Sequence, residues 1–203
     1  MLPLSLELSR LRLALIGNGA AALRRLRSLE AAGAASLRVF APAPTPELAR
    51  AAGTRLERRL PKSSDLIGCH LVLIADLIAT DRDHLAEAAR GAGALVHVED
   101  APLLSDTQMP AVLRRGDLSL AIATNGAAPA LAAEMKAFLG EIIGPEWRRR
   151  VAEAGRLRRR WRAAGASHGA IRRLTAAHMA QRGWLHDRNI AIDERATTNS
   201  KRR

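Results

Sequence analysis

The chain has 203 residues, room for one core or two small ones. It is 48% hydrophobic but only 2% aromatic, with no tyrosine, so its core has to come from Leu, Ala, Val and Ile. The net charge of +12 is carried almost wholly by arginine, much of it between Arg148-Arg149-Arg150 and Lys201-Arg202-Arg203. Such a surface favours an anionic partner, either nucleic acid or a polycarboxylated small molecule. Charges interrupt every apolar run before it reaches the length of a membrane span. No basic stretch leads into an apolar core at the N-terminus, so no signal peptide is visible. A soluble cytoplasmic protein with no membrane partner is expected. The single cysteine, Cys69, excludes an internal disulfide and a thiolate metal site, and is expected to be a small buried residue.

Period and breakers predict the elements in chain order. Leu11–Ile16 reads as a buried parallel strand. A helix follows from about Ala20 to Ala32, with Gly33 as its stop. Leu37–Phe40 is a second strand, broken by Pro42, Pro44 and Pro46. A short helix covers Glu47–Ala52, and Arg55–Leu60 is an outer strand. Leu71–Ala75 is a buried strand, and Asp81 is placed to cap a helix running to about Ala92. Leu95–Val98 is the next strand. This alternation predicts an α/β fold with a Rossmann-type, doubly wound parallel sheet over residues 1–110.

The rhythm then changes. Ala111–Leu113 and Leu118–Thr124 flank Arg114-Arg115-Gly116-Asp117, a hairpin signature. A helix opening near Pro129 runs to about Ile143, which makes 111–145 a hairpin and helix region. Gly144-Pro145 breaks the chain. Two helices, Glu146–Ala164 and Ser167–Ala180, form a helical domain at 146–188 that carries Trp147, Trp161 and Trp184. Residues 189–203 read as a disordered basic tail.

The most informative segment is Gly17-Asn18-Gly19-Ala20-Ala21-Ala22, placed between the first strand and its helix. Gly17 permits a tight turn, Gly19 permits backbone approach to a pyrophosphate, and the helix points N–H groups at the phosphate. No Asp or Glu stands at the tip of the second strand to grip an adenosine ribose. Backbone groups of Ala43 and Pro44 have to do that work, which leaves NAD and NADP both open. Arg38 and Arg50 carry no argument for a 2′-phosphate. Asp100 lies just past the C-terminal end of a parallel strand, where ligands bind in open α/β sheets. It either accepts a proton there or, as the residues alone favour, caps neighbouring loop N–H groups. His97 is read as a strand histidine with one satisfied nitrogen, and no histidine spacing indicates zinc. With no recognition-helix signature and few aromatics for stacking, nucleic acid is not the expected partner.

Several motifs converge. Leu2-Pro3-Leu4, Ile16–Ala22, His97-Val98-Glu99-Asp100-Ala101-Pro102 with Met109-Pro110-Ala111, and Ala123–Ala132 occur in one order. Together they resemble the siroheme synthase N-terminal module, the precorrin-2 dehydrogenase/sirohydrochlorin ferrochelatase family, from about Leu2 to Ile143. The resemblance implies a Rossmann domain, a small dimerisation region and a helical domain, in a homodimer. It implies NAD-dependent oxidation of precorrin-2, an anionic tetrapyrrole, to sirohydrochlorin, with iron only as a substrate of a further chelation step. It puts the essential aspartate at Asp100, the pyrophosphate loop at Gly17, Asn18, Gly19, Ala20 and Ala21, and the ribose-side loop at Ala43 and Pro44. No transmethylase module is expected after the helices.

Four positions depart from the family pattern. His97 replaces Asn, Asp76-Leu77-Ile78 replaces a Thr-Asp/Asn-Asp/Asn run, Thr107 replaces Phe, and Ala128 stands where some relatives carry Ser. The Asp76-Leu77-Ile78 and His97 departures motivate an alternative reading, a catalytically reduced regulatory protein that binds a nucleotide or tetrapyrrole.

Overall fold

The structure, a computed structural model, describes residues 2–185. The basic tail at 189–203 and the end of the helical segment at 186–188 lie outside the described residues. The chain divides into two units, Met1–Met109 with Ala123–Ala128, and Pro110–Ile122 with Pro129–Arg203.

The first unit is built on five parallel strands: β1 (Arg12–Ile16), β2 (Ser36–Phe40), β3 (Leu56–Glu57), β4 (Leu71–Ile74) and β5 (Leu95–Val98). Their order is β3-β2-β1-β4-β5, so the sheet reverses direction of growth at β1 and β4. Ile16 pairs with Phe40 on one side and Ile74 on the other. Alternate side chains go to opposite faces. Leu13, Leu15, Val39 and Leu73 pack beneath α1 (Ala20–Ala31) and α2 (Pro46–Ala52). Ala14, Ile16, Phe40, Val72 and Val98 pack against α3 (Ser63–Leu66) and α4 (Ala79–Gly91). Both faces are covered, which is why these strands read as continuous apolar runs. Cys69 is buried among them, and burial pushes its thiol up.

Three expectations need correction. The outer strand is only Leu56–Glu57, because the Arg59 N–H turns back to the Glu57 carbonyl and Pro61 has no N–H for a ladder. Asp81 is not the cap of α4. The helix starts at Ala79 after extended Ile78, which leaves Asp81 in the first turn, where its charge suits the helix dipole. α3 was not expected; at four residues it is too short to show a period.

The β5 edge is closed by the loop that follows it. Val96 N–H donates to Asp106 Oδ2 at 3.0 Å, and the Val96 carbonyl accepts from Asp106 N–H at 2.8 Å. Val98 N–H donates to Ser105 Oγ at 2.9 Å. Arg90 of α4 holds the Asp106 carboxylate at 3.0 Å.

The second unit holds an antiparallel hairpin, β6 (Ala111–Arg115) and β7 (Leu118–Ile122), then α5 (Pro129–Ile142), α6 (Trp147–Ala163) and α7 (His168–Gln181). Gly116 has φ +63° at the first loop position, where two-residue hairpin turns favour glycine. Arg115 donates to the Ile143 and Gly140 carbonyls and so satisfies the end of α5. Ser167 caps α7 through the Ala170 N–H. Trp184 is buried, edge-on to Trp147 and His178, and its carbonyl accepts from Arg150.

A charge network braces the β2, β3 and α3 corner. Asp65 accepts from Arg59 at 2.6 Å and from Arg38 at 3.0 Å, and both guanidinium groups also reach Glu57. Both lie over the Phe40 ring, at 4.7 and 5.3 Å. The Arg59 hydrogen bond holds the Asp65 carboxyl far below its usual range, against a smaller effect of burial, with the Lys62 N–H and Arg38 adding to the lowering. The unfolded carboxyl titrates near about 3.9, so the unfolded chain takes its proton first. The stabilisation is therefore complete above about pH 5 and drains away as pH falls below about 4. Asp65→Asn is expected to lower the urea midpoint at pH 7 and to differ less from the parent chain at pH 3, where the loss has begun. An equal difference at both values would refute the assignment.

Candidate functional site

The turn from β1 into α1 is set by contact rather than by its own bonds alone. A Cβ on Gly17 would lie 2.0 Å from the Ala75 carbonyl oxygen and 3.1 Å from the Ala22 Cβ. Gly17 N–H donates to the Phe40 carbonyl at 2.9 Å, which fixes the turn to the end of β2. Asn18 ties in the next loop, since its Oδ1 accepts from Ala43 N–H and its carbonyl accepts from Thr45 N–H, both at 2.9 Å. Thr45 then caps α2 through Leu48 N–H. The Ala43 N–H is thus engaged, and Pro44 has none. What this loop offers a ribose is carbonyl oxygen, an acceptor for hydroxyl donors.

Gly19 is the N-cap of α1 and has no side chain to bond the first turn. The Ala20 and Ala21 N–H groups have no carbonyl one turn before them. Asp76, from the end of β4, accepts from Ala22 N–H at 2.8 Å. These groups border a cavity of about 310 Å³ at the C-terminal ends of β4 and β5. Its walls include Ala20, Ala21, Arg24, Asp76, Arg82 and Asp100. An open α/β sheet binds its ligands at this edge.

Three carboxylates reach the cavity in different states. Glu99 is engaged: Arg25 Nε donates to it at 2.6 Å, with Arg24 at 3.7 Å and His97 Nε2 at 3.6 Å. Burial pushes the Glu99 carboxyl up, but Arg25, His97 and Arg24 outweigh burial and leave it below its ordinary range. Asp76 caps α1. Asp100 has φ +55° and its side chain makes no hydrogen bond or ion pair among the described residues. The loop-capping reading of Asp100 therefore finds no bond to support it. His97 is buried, with Nδ1 3.1 Å from the Thr107 carbonyl, which requires Nδ1 to be the donor. Its Nε2 has no hydrogen-bond partner among the described residues.

Residues 4–111 match the family model described as "Putative NAD(P)-binding", and residues 115–141 match "Sirohaem biosynthesis protein central". The chain belongs to the family of the siroheme synthase N-terminal module. It is 38% identical over 164 residues to a siroheme synthase of Pseudomonas putida (strain W619), covering 77% of this chain and 34% of the relative. It thus spans about a third of the length of the siroheme synthases it matches. It is 28% identical over 160 residues to a precorrin-2 dehydrogenase of Bacillus subtilis (strain 168), covering 77% of this chain and 96% of that one. The solved structure titled "SirC, precorrin-2 dehydrogenase" has the same fold, with a TM-score of 0.74, 22% identity, and 92% and 93% of the two chains covered.

Within the family fold, the sequence-selected residues Gly17, Asn18, Gly19, Ala20 and Ala21 form one continuous turn. Ala43 is bonded to that turn through Asn18. Asp100 shares a cavity with Ala20 and Ala21. Arg38 is committed to Glu57 and Asp65. Arg24, Arg82 and the role of Asp76 were not read from sequence. Arg24 had a usable signal, since it stands one helical turn after Ala20. Asp76 acts across 54 residues of chain, which no local pattern reveals.

The absence of space at residue 17 is testable. Gly17→Ala drives a Cβ into a backbone oxygen, so it is expected to cost about 2 kcal/mol or more of stability, read from urea unfolding. An unchanged midpoint would show that the turn relaxes freely.

Proposed function

We propose that the chain is an NAD-dependent precorrin-2 dehydrogenase that forms sirohydrochlorin in siroheme biosynthesis. The observation that carries this reading is Asp100, a carboxylate without an internal partner, beside the first turn of α1 at the sheet's binding edge. Relatives named siroheme synthase and precorrin-2 dehydrogenase support the substrate class.

The glycine turn fits a dinucleotide. Gly17 and Gly19 leave backbone uncovered, the Ala20 and Ala21 N–H groups donate to the pyrophosphate, and the Ala43 and Pro44 carbonyls accept from ribose hydroxyls. NAD, when bound, supplies the hydride acceptor. Oxidation of the macrocycle removes a hydride and a proton, and Asp100 takes the proton. Arg24 and Arg82, in the cavity wall, attract the carboxylates of the tetrapyrrole. In a chelation step, with iron as substrate, the same carboxylate is the base for the pyrrole protons. No helix among the described residues is long and apolar enough to cross a membrane, and the cytoplasm is the setting this reading favours.

Asp100→Asn is expected to lower the rate of sirohydrochlorin formation by about 10²–10⁴-fold with NAD affinity unchanged. Wild-type turnover in a folded variant would end the catalytic assignment. Parent protein that binds NAD and precorrin-2 yet forms no sirohydrochlorin would favour the regulatory alternative.

The second unit is read as the dimerisation and helical part of a homodimer. Leu131, Met135 and Phe138 lie at i, i+4 and i+7 on α5 and are 54%, 43% and 57% exposed. A stripe of that size beside the hairpin suits a second copy of the chain. Sedimentation at micromolar concentration is expected to give a dimer that Phe138→Asp converts to monomer. A parent chain that is monomeric there contradicts the proposal.

A further inference from the structure

The first turn of α1 already carries an anion. A glycine N-cap cannot supply the usual acceptor for the third N–H of a helix. Asp76 supplies it from outside, accepting from Ala22 N–H at 2.8 Å. Its carboxylate lies directly against the turn: a Cβ on Gly19 would be 3.0 Å from its Cγ and from its Oδ2. Asp76 reaches this place from a left-handed backbone, φ +56°. Its carboxylate has no ion pair among the described residues. The nearby arginines are otherwise directed, since Arg24 and Arg25 reach Glu99 and Arg82 reaches Asp83. A carboxylate with no cation beside it therefore stands at the helix end whose Ala20 and Ala21 N–H groups a pyrophosphate would use.

We infer that Asp76 is a built-in competing anion that sets a low affinity for the dinucleotide. The inference rests on the reading that NAD binds at Gly17–Ala21. A helix N-terminus stabilises one anion, and a second one a few ångströms away repels the first. Asp76 thus does two jobs with opposite effects. Its oxygen secures the start of α1, and its charge opposes the phosphates that approach the same turn. The second job rests wholly on charge and the first chiefly on an acceptor oxygen, so a neutral acceptor weakens the first and abolishes the second. Asp76 tunes affinity for the cofactor and has no part in proton transfer.

Asp76→Asn keeps an oxygen for Ala22 N–H and removes the charge. Isothermal titration is to be run with NAD and, as a phosphate-free probe, with adenosine. NAD is expected to bind about tenfold more tightly to the variant, with adenosine affinity unchanged and a cooperative thermal transition at a slightly lower midpoint. Should the Asn variant fail to fold, Asp76→Ser, also uncharged and bearing an acceptor, gives the same comparison. Equal or weaker NAD binding by the folded variant overturns the inference and leaves the cofactor reading standing. NAD binding by neither parent nor variant overturns the cofactor reading and the inference with it. A helix cap without electrostatic consequence would leave NAD affinity unmoved.

Discussion

The chain leaves β1 and enters α1 through a point that has no room for a side chain. A Cβ at residue 17 would stand 2.0 Å from the Ala75 carbonyl oxygen, and the Ala22 side chain waits just behind it. This contact brings the end of β4 against the first turn of α1. It sets the direction of the helix, the closeness of Asp76 to Ala22 and the position of the cavity between β4, β5 and α1. The second glycine matters differently. At residue 19 a Cβ would meet a carboxylate at 3.0 Å, so the space denied there belongs to a side chain that can move.

An arginine-rich chain has to decide where its few carboxylates go. Asp65 and Glu57 are spent on Arg38 and Arg59, and Glu99 on Arg25 and Arg24. Asp106 closes a strand edge and holds Arg90. Each of these pairings is partly shielded, so it contributes more than a fully exposed pair does. Among the carboxylates of the cavity, Asp100 differs by having no partner among the described residues and Asp76 by serving a backbone N–H rather than a cation. Both lie in one cavity, whose wall also carries Arg24 and Arg82.

Much of the first unit was legible because parallel strands buried on both faces leave apolar runs, and glycine marks the turn between strand and helix. The hairpin was legible from Gly116-Asp117, since few residues accept the positive φ needed there. What escaped was set by distance or by brevity. The outer strand lost most of its length to a turn at Arg59, and α3 is a single turn. The start of α4 was misread because Ile78, which has no capping side chain, occupies the N-cap position expected of Asp81. The turn at residues 17–21 was singled out by spacing and Asp100 by its place after a strand, and the fold brings Ala20, Ala21 and Asp100 to one cavity. The bond from Asp76 to Ala22 was invisible because nothing near either residue in the chain signals the other.

The loop that follows β5 has a consequence for how copies of the protein meet. Its Ser105 and Asp106 side chains occupy the outward N–H groups of Val98 and Val96, and at the other margin β3 is only two residues long. Neither border offers the row of open backbone groups that templates strand addition. The sheet is therefore finite. It resists growth into a shared sheet or a fibril during crowded synthesis, and an assembly of copies through this sheet has to proceed by side-chain packing.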